Sequence, residues 1–94
     1  MQVINIKTTK VKGVVYCGRP SPLGNPFSLK NFSREESIAH YREWLHRQLI
    51  RGNQEVIKAL EALQEDSILG CYCKPLDCHC DVIIKAWKWW KEKS

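Results

Sequence analysis

The sequence predicts a small α/β domain, a sheet of three to four strands with helices packed on it, in the order β-β-α-α-β-α. Three observations point there. Two short β-branched runs open the chain, a capping box starts a long amphipathic helix at Ser33, and an apolar run over Ser67 to Cys73 follows the helical region. Ninety-four residues bury a single core, so residues 1–94 make one domain.

Val3 to Lys7 and Gly13 to Cys17 are the first two strands, and the turn-like Lys10 to Gly13 between them suits a hairpin. Arg19 to Asn31 contains Pro20, Pro22, Pro26 and Gly24, whose fixed φ values and missing donors exclude regular structure and specify an ordered loop. In Ser33-Arg34-Glu35-Glu36 the serine hydroxyl can take the third helical amide while Glu36 reaches back to the cap amide. The helix that follows sets Ile38, Tyr41, Leu45 and Leu49 on one stripe, with His40, Arg42, Glu43, Arg47 and Arg51 mainly opposite. Gly52 ends it, and Asn53 caps a second helix carrying Val56, Leu60 and Leu63. Ser67 to Cys73 has apolar residues on both faces, as a central strand buried on each side would. The last helix runs from roughly His79 to Lys91, with Ile83, Trp87 and Trp90 assigned to the core and Trp89 to solvent.

Composition limits the partners without choosing one. The net charge of +5 favours phosphates, nucleic acid or an acidic protein. The first residues lack the pattern of a secretory signal, and no apolar run approaches the ~18 residues that span a bilayer. A cytoplasmic protein with no membrane contact is expected. Five cysteines, an odd number, then read as thiols used for chemistry or packing rather than as disulfides.

The cysteines concentrate in Cys71-Tyr72-Cys73-Lys74-Pro75-Leu76-Asp77-Cys78-His79-Cys80-Asp81. Their spacing is not the paired C-x₂-C of a zinc ribbon, and Cys71 and Cys73 lie roughly 6.5 Å apart along an extended strand. No metal or other cofactor is therefore expected, and Cys71 reads as a small core residue. Were zinc bound, its ligands would be Cys71, Cys73, Cys78 and His79. Cys78 and His79 stand where the last helix begins, and its unpaired amides favour a thiolate or a bound phosphate. His79 there is a general acid or base, or else a capping or packing residue. Asp81, in the first helical turn, is a general base or ligand, or else a partner for the helix dipole.

On the proline-rich loop, Gly18-Arg19 offers a guanidinium for phosphate or carboxylate, unless Arg19 is only a solvated surface residue. Asn25, between Gly24 and Pro26, reads a ligand edge or merely satisfies the turn. Phe27 is assigned to the core in preference to stacking on a base. If the strands ending at Cys17 and Cys73 are parallel, this loop and the cysteine loop share one edge of the sheet, where such folds bind ligands. Lys85 and Lys88 beside Trp89, with Lys91 at the margin and Glu92 diluting the charge, read as a solvated face.

Val15 to Phe27, Ser33 to Glu36 with Tyr41 and Leu45, Leu69 to Pro75 and Cys78 to Ile83 together resemble the small phage and bacterial family catalogued as domain of unknown function 4326. The resemblance covers about four fifths of the chain and implies no established activity. It selects Gly18, Arg19, Gly24 to Phe27, Cys71, Cys73, Cys78, His79 and Asp81 as the family's pattern. Cys80 departs from that pattern, where a small residue is usual, which argues against a four-cysteine metal site across the family. The family's association with phages suggests nucleotide or nucleic-acid chemistry.

The expectation is a domain that binds, and processes if it is an enzyme, a nucleotide or other phosphorylated small molecule. Arg19, Asn25, Gly18 and Gly24 would bind the ligand, and Cys78, His79 and Asp81 would supply the reactive groups. The alternative is a non-enzymatic protein binding nucleic acid or a host protein, with the Cys/His cluster structural or zinc-binding.

Overall fold

The structure, a computed structural model, describes residues 1–8, 11–18, 21–27, 29–72, 76 and 78–93. Its elements follow the expected order: β1 (Gln2–Asn5), β2 (Val14–Tyr16), α1 (Arg34–Arg51), α2 (Gln54–Glu61), β3 (Ile68–Cys71) and α3 (His79–Lys93). Among the described residues the sheet has three strands in the order β1-β3-β2, and both outer strands run parallel to β3.

This arrangement corrects the hairpin. β1 and β2 never pair with each other, because the more apolar β3 lies between them and satisfies one edge of each. Leu69 and Cys71 face the helical core, and Leu69 is fully buried. Gly70 faces the other way, and a side chain there would collide with Ile6 Cγ2 and Val14 Cγ1. The two segments flanking the β1–β2 connection thus close over the middle of β3 because that position is glycine. β3 is largely buried as expected, with Ile6 and Val14 lying over Gly70, while Tyr16 and Tyr72 at the strand ends are exposed.

The helix boundaries follow from their caps. Ser33 Oγ accepts from Glu36 N at 3.2 Å while Ser33 N donates to Glu36 Oε1 at 3.0 Å, the reciprocal pair that the sequence specifies. Gly52 ends α1 at φ +79°, a conformation costly for any residue with a Cβ. Asn53 Oδ1 then accepts from Glu55 N at 3.2 Å and opens α2.

The core joins Tyr41, Leu45 and Leu49 of α1 to Val56, Ile57 and Leu60 of α2, Leu69 of β3, and Val82 and Ile83 of α3. Burying a side chain of this size contributes roughly 1.5–3 kcal/mol, so this one cluster supplies most of the drive to fold. Ser37, absent from the expected stripe, is also buried, at 2% exposure.

The assignment of Trp89 to solvent is corrected as well. Trp87, Trp89 and Trp90 are all half-buried and packed against the core. α3 touches both α1 and α2, so its covered arc is wider than a single stripe. On the α2 side, Trp87 Nε1 donates to Leu63 O at 3.1 Å and Trp90 Nε1 to Glu61 Oε2 at 2.9 Å. On the α1 side, Trp89 borders a groove with Leu45, Leu49 and Val82, and its ring lies 5.2 Å from that of His46. Among the described residues no helix is long and apolar enough to cross a membrane.

Candidate functional site

Parallel pairing places the C-terminal ends of β2 and β3 side by side, with Tyr16 in register with Gly70. Cys17 and Cys71 therefore leave the sheet as neighbours, and Cys17 N donates to Gly70 O at 3.0 Å. Beyond this edge lies a cleft of about 260 Å³, bordered by Gly18, Phe27, Arg34, Cys71, Cys78 and His79 among others. Tyr16 and Tyr72 form one wall, meeting edge to face with ring centroids 6.2 Å apart. Phe27, assigned to the core, is half-buried and packed against it, stacked on His40 at 5.3 Å while it also borders the cleft.

Cys78 directly precedes α3 and caps it. Its Sγ accepts from Cys80 N at 3.4 Å, and its carbonyl accepts from Asp81 N at 3.1 Å. A sulfur thus takes the place that a Ser or Asp oxygen usually holds, and the amide donated to it favours its anionic form. His79 Nε2 lies 2.5 Å from Cys17 O. A carbonyl oxygen can only accept, so Nε2 carries the proton and Nδ1 is turned toward Cys78 Sγ, 3.7 Å away. Tyr41 packs its ring edge to face against His79 at 5.1 Å and donates its hydroxyl to Leu23 O at 2.7 Å.

The electrostatics follow from these contacts. The Cys80 thiol hydrogen bond, above all, holds Cys78 well below the ordinary thiol range, and His79, Cys71 and the Cys80 amide add to this against the opposing cost of burial. Burial disfavours the charged form of His79, yet its bonds to Cys78 and the Cys17 carbonyl outweigh that cost and raise its pKa. Cys80 also donates to Cys17, whose pKa falls, while as the shared donor Cys80 is pushed upward. Burial raises the Tyr41 hydroxyl, so it remains a neutral donor. The pattern favours the anionic form of Cys78 and the protonated form of the adjoining imidazole.

Of the anticipated ligand-binding residues, Gly18 and Asn25 border the cleft, whereas Gly24 is buried beside it. Arg19 lies outside the described residues, as do Cys73 and Asp77. Both ends of the Asn25 amide are engaged within the protein. Nδ2 donates to Ser37 Oγ at 2.8 Å, and Oδ1 accepts from Phe27 N at 2.8 Å. Ser37 Oγ in turn donates to Phe27 O at 2.7 Å, which ties the proline-rich loop to the first turn of α1. Asn25 thus satisfies its turn. Cys78 and His79 meet at the cleft as anticipated, whereas Asp81 is half-buried in the first turn of α3 and is not among the residues bordering it.

The sulfurs of Cys71, Cys78 and Cys80 lie within 4.8 Å of one another, and three buried thiols so placed could hold a metal ion. This is not the anticipated quartet. Cys73 lies outside the described residues, His79 is not one of the three, and Cys80, the departure from the family's pattern, is. Sequence reasoning also passed over Cys17, Arg34, Ser37 and Tyr41. The signal for Cys17 was present, since two parallel strands ending at Cys17 and Cys71 must bring those residues together. Ser37 and Tyr41 carried no signal, because periodicity shows which face is buried and not which loop the buried polar groups meet.

A protein-family model described as Domain of unknown function (DUF4326) matches residues 4–89. No curated protein and no solved structure matches the chain.

Proposed function

The chain belongs to that family, whose description assigns no activity, and from the chemistry of its own cleft we propose that it binds, and processes, a nucleotide or other phosphorylated small molecule. The observation that carries this reading is the cleft at the carboxyl edge of the parallel sheet, where the beginnings of α1 and α3 converge. α3 presents the positive end of its dipole, and Arg34 supplies a guanidinium suited to a phosphate. Arg19, next to Gly18 in the chain, is the second proposed anion-binding residue. Tyr16, Tyr72 and Phe27 offer ring surfaces against which a planar base can lie.

Cys78 is the proposed nucleophile, and His79 holds or delivers the proton through Nδ1. Asp81 remains a proposed third member, acting through the first turn of α3 rather than at the cleft wall. Three thiols able to hold a metal leave a structural zinc as the alternative use of Cys71, Cys78 and Cys80.

Thermal unfolding with inorganic phosphate, AMP and ribose 5-phosphate, against adenosine as the phosphate-free control, tests the reading. A probe at ~100 times its Kd stabilises by about 2.7 kcal/mol, a shift of more than roughly 10 °C for a domain of this size. Arg34→Ala and Arg19→Ala should remove that shift, and His79→Asn should leave binding intact while suppressing turnover. If no phosphorylated probe shifts the transition and single-stranded oligonucleotides do, the non-enzymatic nucleic-acid-binding alternative replaces this reading.

A further inference from the structure

Among the described residues four cysteines are buried, and of these Cys71 and Cys78 border the cleft whereas Cys17 and Cys80 are not among the residues bordering it. The two cleft-facing sulfurs are 2.9 Å apart. They come from different elements, the end of β3 and the cap of α3, so the tertiary fold creates their proximity. A disulfide bond measures about 2.05 Å between sulfurs, and closing this gap needs a shift of only about 1 Å.

We propose that Cys71 and Cys78 form a redox-active dithiol that is oxidised to an intramolecular disulfide by exchange with a low-molecular-weight disulfide such as glutathione disulfide. Cys78, which caps α3 with two backbone bonds and lines the cleft, is the attacking sulfur. It displaces one glutathione as its thiolate and forms a mixed disulfide. Cys71 then attacks Cys78 Sγ and expels the second glutathione, whereupon the Cys71–Cys78 bond is complete. Two protein thiols are oxidised, one glutathione disulfide is reduced to two thiols, and the two protons lost by the protein pass to the products. Cys80 is the less suitable partner, because it is not among the residues bordering the cleft, whereas the Cys71 sulfur lies beside that of Cys78. The inference shares with the proposed function the reactive Cys78 but needs no phosphorylated ligand, so the two can fail separately.

The test uses the full chain equilibrated over a range of glutathione and glutathione disulfide ratios, alkylated to trap free thiols, and mapped by peptide mass spectrometry. The expected result is loss of two thiols together, with Cys71 and Cys78 joined. Cys71→Ser should instead accumulate glutathione on Cys78, and Cys78→Ser should take up glutathione at least tenfold more slowly. The wild-type map alone decides the case if either variant fails to fold. A Cys17–Cys80 disulfide in place of Cys71–Cys78 would overturn the proposal. So would a Cys71→Ser protein that carries no mixed disulfide, or one bound zinc per chain that keeps these thiols inert until it is chelated.

Discussion

Two serines in the same corner of the molecule should respond to alanine with opposite sign. Ser37 Oγ is the hub of the cleft wall, accepting from Asn25 Nδ2 and donating to Phe27 O at 2.8 and 2.7 Å, in a residue only 2% exposed. Ser37→Ala removes both bonds and strands a carbonyl and an amide proton. Each lost bond costs about 0.5–1.5 kcal/mol net, and each stranded group more if water cannot reach it. The wall is partly buried, so some rehydration is available, and the sum comes to about 2 kcal/mol. That is a large share of the roughly 5–10 kcal/mol expected of a domain of this size, and it lowers Tm by roughly 10 °C. Ser21 is the counterpart, since its hydroxyl is buried with no hydrogen-bond partner among the described residues. Ser21→Ala removes an unsatisfied group and should be neutral or stabilising. Urea unfolding followed by tryptophan fluorescence measures both, with an unchanged m-value showing that only stability moved. A Ser37→Ala midpoint within error of wild type, or a Ser21→Ala loss as large as that of Ser37→Ala, would refute the proposed hydrogen-bond network.

Gly70→Ala should cost about 1–3 kcal/mol through overpacking against Ile6 and Val14, and a wild-type urea midpoint would mean those side chains do not lie over β3. Trp87→Ala, Trp89→Ala and Trp90→Ala should all destabilise, each near the lower end of the ~3–5 kcal/mol range for a large aromatic because all three are half-buried. A negligible loss at Trp89 alone would restore the single-stripe view of α3. Alkylation of Cys78 by iodoacetamide should vary little between about pH 6 and 8, because its lowered pKa keeps it a thiolate throughout. An ordinary thiol gains roughly tenfold per pH unit over that range, and such a slope at Cys78, read by peptide mapping, would mean that neither Cys80 nor His79 stabilises the anion. His79→Gln should steepen the Cys78 profile, since it removes the imidazole that faces the sulfur.

Local chemistry was legible without coordinates. Ser33 with Glu36, Gly52 and Asn53 marked the helix ends because capping is satisfied within a few residues, and the order of the six elements followed from such boundaries and from periodicity. The sequence also pointed to the meeting of the Gly18 loop with Cys78 and His79, since parallel strands bring their carboxyl ends to one edge. It could not choose the pairing of β1 and β2. A short turn-like connection suits a hairpin, and only the competition for the two edges of β3, with Gly70 leaving room for Ile6 and Val14, selects the parallel order. The same limit hid the contacts of Ser37, Tyr41 and Cys80, though not the meeting of Cys17 with Cys71 that parallel strands imply. Helical periodicity sorts side chains by face, whereas a hydrogen bond from Tyr41 to Leu23, or a sulfur of β3 against the cap of α3, depends on distances between segments far apart in the chain. The sequence by itself determined the order of the elements and which loops meet at the edge of the sheet. The tertiary structure decided which thiols touch, because contact between distant segments is set by packing and not by local propensity.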